Sequence, residues 1–178
     1  MRSAVRESAR NWQALVPAWR AGRIRRVLVL CTGNICRSPA VAQLLEHALP
    51  AIEVRSAGFY PLTDRPSPRN WVAAARDVLD LDLAAHRSTV VDRTLLEWAE
   101  LIIIMDARNW IELRSTPDVP PRRSVLLVVA AADEQSGGYE LRDPFELDEL
   151  TMREVAQRIG DLVALLARQW HSGLPGTS

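Results

Sequence analysis

The sequence predicts an α/β domain, a doubly wound four-stranded parallel sheet flanked by helices on both faces. Three observations carry that expectation. Residues 27–30, 101–105 and 125–129 are apolar runs without polar alternation, the pattern of strands buried on both faces. The stretches between them repeat apolar residues at helical spacing, as crossovers between parallel strands require. At 178 residues and 48% hydrophobic content, with no internal repeat and no linker, the chain can bury one core as a single domain.

Composition narrows the function classes. The 22 basic residues balance 22 acidic ones, so no global charge points to nucleic acid or an anionic membrane. All the basic residues are arginine, a bias we attribute to a GC-rich genome. The sequence has no run of eighteen apolar residues and no signal peptide, so membrane insertion is not expected. Cys31 and Cys36 are too few and too close to form a secreted disulfide framework, which implies a cytoplasmic home.

Residues 1–25 set Arg2, Arg6, Arg10, Arg20, Arg23 and Arg25 against Glu7 alone, with Trp12, Leu15, Val16 and Trp19 at helical spacing. Several readings stand: a transit segment, a partner helix, a helix laying its tryptophans on the domain, or a start codon set too early. The domain proper spans residues 26–172, and 173–178 form a flexible tail.

The first strand stops at Cys31. Gly33 and Asn34 suit the positive φ of a tight reversal, and Ser38-Pro39 suits the N-cap and first turn of a helix. Backbone N–H groups of such a loop converge with the helix dipole on one point, an anion cradle. A thiol placed there is expected to ionise and act as a nucleophile, and an Arg fork can hold two oxygens of a phosphoryl group. Cys31 and Arg37, with five residues between, therefore mark a phosphate-binding nucleophile site.

Residues 52–56 make a short second strand ending at Ser56-Ala57-Gly58. Pro66-Ser67-Pro68 opens a helix bearing Trp71, Val72, Ala75, Val78 and Leu79, and residues 94–98 give a short helix. Asp106 closes the central run as a helix N-cap, with Asn109 just beyond. Residues 125–129 are the last strand. Asp143-Pro144 is a turn signal in which Pro poses the Asp, and residues 154–170 form a closing amphipathic helix.

The string Cys31-Thr-Gly-Asn-Ile-Cys-Arg-Ser-Pro after a buried strand resembles the signature loop of the low-molecular-weight protein tyrosine phosphatases, and the rest of the domain follows that family's order. The resemblance implies a phosphotyrosine phosphatase with Cys31 as nucleophile, Arg37 as phosphoryl ligand and Asp143 as general acid. Asp133, Asp148 and Glu149 compete for the last role. Thr32, Gly33, Asn34, Ile35, Cys36 and Ser38 would line the phosphate loop, Ser38 donating to the Cys31 sulfur. Ser56 would pin Asn34, His86 would support both Ser56 and Asn34, and Asp106 would order the acid loop. One aromatic among Phe59, Tyr60 and Phe145 would wall the cleft. Cys36 would form a reversible disulfide with Cys31, structural filler being the alternative. No cofactor or metal is required. By family association, the substrate is a phosphotyrosine protein, with a bacterial tyrosine kinase as a candidate.

Two related readings come with the resemblance. A protein-arginine branch typically carries Thr where Ile35 stands, and a thiol-dependent arsenate reductase needs more cysteines than these two. After Pro39 the family usually shows an apolar residue and then Ala-Glu; here Ala40-Val41-Ala42 lacks the Glu, so altered helix packing is expected.

Overall fold

Neither face of residues 27–30 meets water, which is why the run carries no polar residue. In the computed structural model, which describes residues 2–116, 123–131 and 138–172, these residues lie in β1 (Arg26–Cys31). Asp133 and the 173–178 tail lie outside the described residues. β1 pairs in parallel with β2 (Glu53–Gly58) on one side and β3 (Leu101–Ile104) on the other. β4 (Ser124–Leu126) pairs with β3, giving a parallel sheet of order β2-β1-β3-β4.

Alternate residues serve opposite faces. Val27, Val29, Leu101 and Ile103 enter a core with α2 (Arg37–Ala48), α3 (Arg69–Leu79) and α7 (Glu149–His171). Leu28, Leu30, Ile102 and Ile104 enter a second core with α4 (Arg93–Trp98) and α5 (Ala107–Ser115). Each fully buried aliphatic side chain contributes about 1.5–3 kcal/mol relative to exposure, so two covered faces demand an unbroken apolar run. On α2, Ala40, Val41 and Ala42 are all buried, so the position where the family carries Glu is an apolar contact in this chain.

The structure corrects the last strand. β4 ends at Leu126, and residues 127–130 form a single helical turn, α6 (Leu127–Ala130). An apolar run alone does not separate buried strand from buried helix. The ladder decides: Leu126 pairs with Ile104, the last residue of β3. Beyond it the chain satisfies its own backbone, Ala131 N donating to the Leu127 carbonyl at 2.9 Å. The closing helix also begins earlier than its apolar pattern, at Glu149, because Asp148 caps it by accepting from Thr151 N.

The N-terminal residues form α1 (Arg2–Arg20), which lies against β4. Ser8 Oγ accepts from Leu126 N at 2.7 Å, and Asn11 Nδ2 donates to the Ser124 carbonyl at 2.9 Å. Both side chains are buried. They supply to an edge strand the partners that a further strand would give, which blunts an exposed edge. Trp12 and Trp19 enter the first core and Ala4 the second. Trp19 meets Trp170 edge-on at 4.7 Å, and its Nε1 donates to the Leu166 carbonyl at 3.2 Å. Among the described residues, no helix is long and apolar enough to cross a membrane.

Candidate active site

The loop after β1 lies at the carboxyl end of the strand where the chain order reverses, β2 falling to one side and β3 to the other, the place where open α/β sheets hold ligands. Asn34 gives the loop its shape. Its φ of 50° is left-handed, a conformation that Asn tolerates better than most residues, while Gly33 is not among the positive-φ residues. The reversal thus rests on Asn34 alone, a correction to the expectation for Gly33.

Every polar group of Asn34 is engaged. Nδ2 donates to Ser38 Oγ and to Ser56 Oγ, each at 2.9 Å. Oδ1 accepts from Thr89 N at 2.8 Å, and the backbone carbonyl accepts from His86 Nε2 at 2.7 Å. Its backbone N–H points to Cys31 Sγ at 3.3 Å. Burial, the largest influence on His86, pushes its pKa below the ordinary value, and the neutral ring carries its proton on the nitrogen facing that carbonyl. His86 therefore reaches Asn34 but not Ser56, which Asn34 holds instead.

Ser38 does not cap α2. The N-cap position falls on Cys36 without a side-chain bond, and Ser38 turns inward. Its hydroxyl accepts from Asn34 Nδ2 and lies 3.1 Å from Cys31 Sγ and 3.5 Å from the Ala57 carbonyl, within reach to donate to a thiolate at Cys31. A thiolate at Cys31 would thus meet two donors, the Asn34 N–H and the Ser38 hydroxyl.

Gly58, expected only to end the second strand, sets how closely β2 meets the loop. A Cβ there would lie 2.8 Å from both Asn34 N and the Thr32 carbonyl, and backbone cannot yield as a flexible side chain can. The pairing continues past the strands, Tyr60 N donating to the Thr32 carbonyl at 2.8 Å. On the other side Asn109, buried on α5, donates from Nδ2 to Thr32 Oγ1 at 3.1 Å. Sequence reasoning missed both contacts, because each joins segments distant in the chain and neither leaves a local pattern.

Arg37 is 1% exposed, and a charge so buried requires partners. Nη1 donates to Asp106 Oδ2 at 2.5 Å and to the Leu141 carbonyl at 2.9 Å, and Nη2 donates to Asp143. Burial opposes the charge, but Cys31, Asp143 and Asp106 outweigh it and raise the guanidinium pKa further. Arg37 Nε–H is buried without an acceptor among the described residues. Asp106 both caps α5, accepting from Asn109 N at 2.8 Å, and holds Arg37. It reaches the Asp143 loop through Arg37, while Leu141 N to the Met105 carbonyl and Ala107 N to Glu140 tie that loop to the start of α5 directly.

The two cysteines differ. Burial first, then the negative charge of Cys31 and Asp143, holds the Cys36 thiol far above its ordinary range. Both are free thiols. They open on a cavity of about 330 Å³ shared with Asp143, Ile35, Tyr60 and Phe145, and with two arginines absent from the sequence expectations, Arg65 and Arg108. Of the three candidate aromatics, Tyr60 and Phe145 line the cavity, each 45% exposed, while Phe59 packs against the second core. Asp148 and Glu149 do not line it: Asp148 is held by Thr151 as the cap of α7, and Glu149 lies in that helix's first turn.

The model for low molecular weight phosphotyrosine protein phosphatases matches residues 26–173. The chain belongs to that family. Residues 1–25, which include α1 (Arg2–Arg20), lie outside the match. Among similar proteins, the probable low molecular weight protein-tyrosine-phosphatase EpsP of Ralstonia nicotianae is 36% identical over 136 residues, 76% of this chain and 89% of the relative. The solved tyrosine phosphatase Wzb from Escherichia coli K30 in complex with sulphate is 26% identical, with a TM-score of 0.72 over 82% of this chain and 97% of that one. The YwlE arginine phosphatase from Geobacillus stearothermophilus is 25% identical, also with a TM-score of 0.72, covering 83% of this chain and 94% of its own. Like its curated relatives of the low molecular weight family, the protein is a phosphatase.

Proposed function

We propose that this phosphatase hydrolyses phosphotyrosine on protein substrates through a phosphocysteine on Cys31. The observation that carries the reading is the pairing of Cys31, whose sulfur lies within hydrogen-bond distance of Ser38 Oγ and Asn34 N and opens on the cavity, with a buried Arg37 that keeps an unused Nε–H and donates to Asp143 on the cavity wall. In the first step Cys31 sulfur bonds to phosphorus in line as the phosphorus–oxygen bond to tyrosine breaks. Arg37 and the loop N–H groups stabilise the equatorial oxygens, and Asp143, released from Arg37 by the phosphoryl group, protonates the departing oxygen. In the second step Asp143 takes a proton from water, the water oxygen bonds to phosphorus, and the sulfur leaves as thiolate. Ser38 and the Asn34 N–H stabilise that thiolate.

Ile35, Tyr60 and Phe145 support tyrosine as the residue served. An apolar branched side chain and two aromatic walls suit a flat phenol ring. A second reading, protein-arginine phosphatase, is favoured by the likeness to YwlE; Ile35 opposes it, since that branch typically carries Thr there. Arsenate reduction has only Cys31 and Cys36 to work with, too few to pass a disulfide onward. The relatives' names as protein-tyrosine-phosphatases support a phosphoprotein substrate, and a bacterial tyrosine kinase is the partner that family association suggests. The test is kcat/KM on matched phosphotyrosine and phosphoarginine peptides. Phosphotyrosine is expected to win by at least about tenfold, a difference of about 1.4 kcal/mol in transition-state binding; the reverse order would overturn the reading.

A further inference from the structure

Arg65 is a cation at the cavity that the hydrolytic chemistry does not use. Its guanidinium lies over the face of Tyr60, 4.6 Å from the ring centroid. Nη1 is 3.5 Å from where a Cβ on Gly33 would stand, so the charge sits directly on the phosphate loop. The side chain springs from a fixed backbone: Arg65 N donates to Ser88 Oγ at 3.0 Å, Ser88 N donates to the Arg65 carbonyl at 2.9 Å, and Pro66 bridges Arg87.

Arg65 has no acidic side chain of its own among the described residues. Arg37 is matched by Asp106 and Asp143, Arg108 pairs with Glu112 at 3.4 Å, and the neighbouring Asp64 pairs with Arg87. A guanidinium stacked on an aromatic ring keeps its edge free for an anion, and holding it in place beforehand removes much of the entropic cost of binding.

Resting on the phosphotyrosine reading, we propose that Arg65 forms a second anion subsite, binding a carboxylate or a second phosphate on the residue beside the phosphotyrosine being hydrolysed. The enzyme therefore selects acidic or multiply phosphorylated segments. The test compares kcat/KM on phosphotyrosine peptides whose neighbouring residue, on either side, is Asp, a second phosphotyrosine, Asn or Arg, with a parallel phosphoarginine series. A charge-assisted contact at a half-exposed rim predicts a preference of about 5–20-fold for an anionic neighbour over Asn, weakening as salt rises. Arg65→Gln should bring that ratio to about one, and Arg65→Glu should favour the Arg neighbour. Preference for Asp alone would identify the carboxylate as the ligand, and preference for phosphotyrosine alone the second phosphate. Equal rates on anionic and neutral peptides in both series, or an unchanged ratio in Arg65→Gln, would overturn the subsite. Failure of the phosphotyrosine reading would appear separately, as hydrolysis confined to the phosphoarginine series, where the same ratio still decides on Arg65.

Discussion

Asp143 reaches the site on a loop and is held by Arg37, so in the proposed mechanism pairing with the guanidinium and serving the leaving group alternate within one turnover. Asp143→Asn keeps the shape and removes the proton. General acid catalysis is worth roughly 10²–10⁴-fold, so the deficit on phosphotyrosine should fall in that range and shrink for a nitrophenyl ester, whose phenolate needs little protonation. Equal losses on both substrates in steady-state assays would contradict the assignment. Asp148→Asn should not reproduce the leaving-group dependence, because the Thr151 hydroxyl and N–H hold that carboxyl below its usual range as a helix cap. At this scale the sequence was most legible where chemistry is local. Cys31 to Ser38 form one string, but the partners of Arg37 at Asp106 and Asp143 lie 69 and 106 residues away. Local pattern alone reads Ser38 as a cap, because Ser before Pro favours that role; the family resemblance pointed to the sulfur, and the amide partner becomes visible only once the loop has folded.

Among the elements, α1 bears most on how the domain is bounded. Its apolar spacing was readable, and its destination was not: an edge strand of three residues gives no sign in sequence of needing a helix to complete it. Ser8 and Asn11 serve the β4 backbone and Trp19 is wholly buried. Removing a buried Trp side chain costs about 3–5 kcal/mol, and each kcal/mol shifts the thermal midpoint of a domain this size by about 2–4 °C. Trp19→Ala should therefore lower the midpoint by roughly 6–20 °C in a calorimetric scan. An unchanged midpoint would mean that α1 does not belong to the cooperative unit. β1 and β3 were legible because burial on both faces writes an unbroken apolar run. β4 was overextended because the same run continues into α6.

For the whole molecule, alternation of strand and crossover fixes the topology, and the topology fixes the site, since reversal of strand order after β1 leaves its loop open at the sheet's carboxyl edge. Net charge says little here: the formal sum is zero, while the cavity gathers Arg65 and Arg108, and the buried Arg37 donates to Asp143 on its wall. Such clustering depends on the three-dimensional path of segments 65, 108 and 143 and leaves no linear signature. Everything in this account turns on Cys31 being the atom that accepts the phosphoryl group. The most direct measurement is mass analysis of acid-quenched enzyme during turnover of a phosphotyrosine peptide, with wild type and Cys31→Ser compared. Wild type should carry one phosphoryl group mapping to Cys31. Cys31→Ser should carry none, lose activity by a factor on the order of 10⁶ as other hydrolases do without their nucleophile, and still bind vanadate through Arg37 and the loop N–H groups. A phosphoryl group on another residue, or activity in Cys31→Ser within about tenfold of wild type, far above what loss of a nucleophile allows, would contradict it.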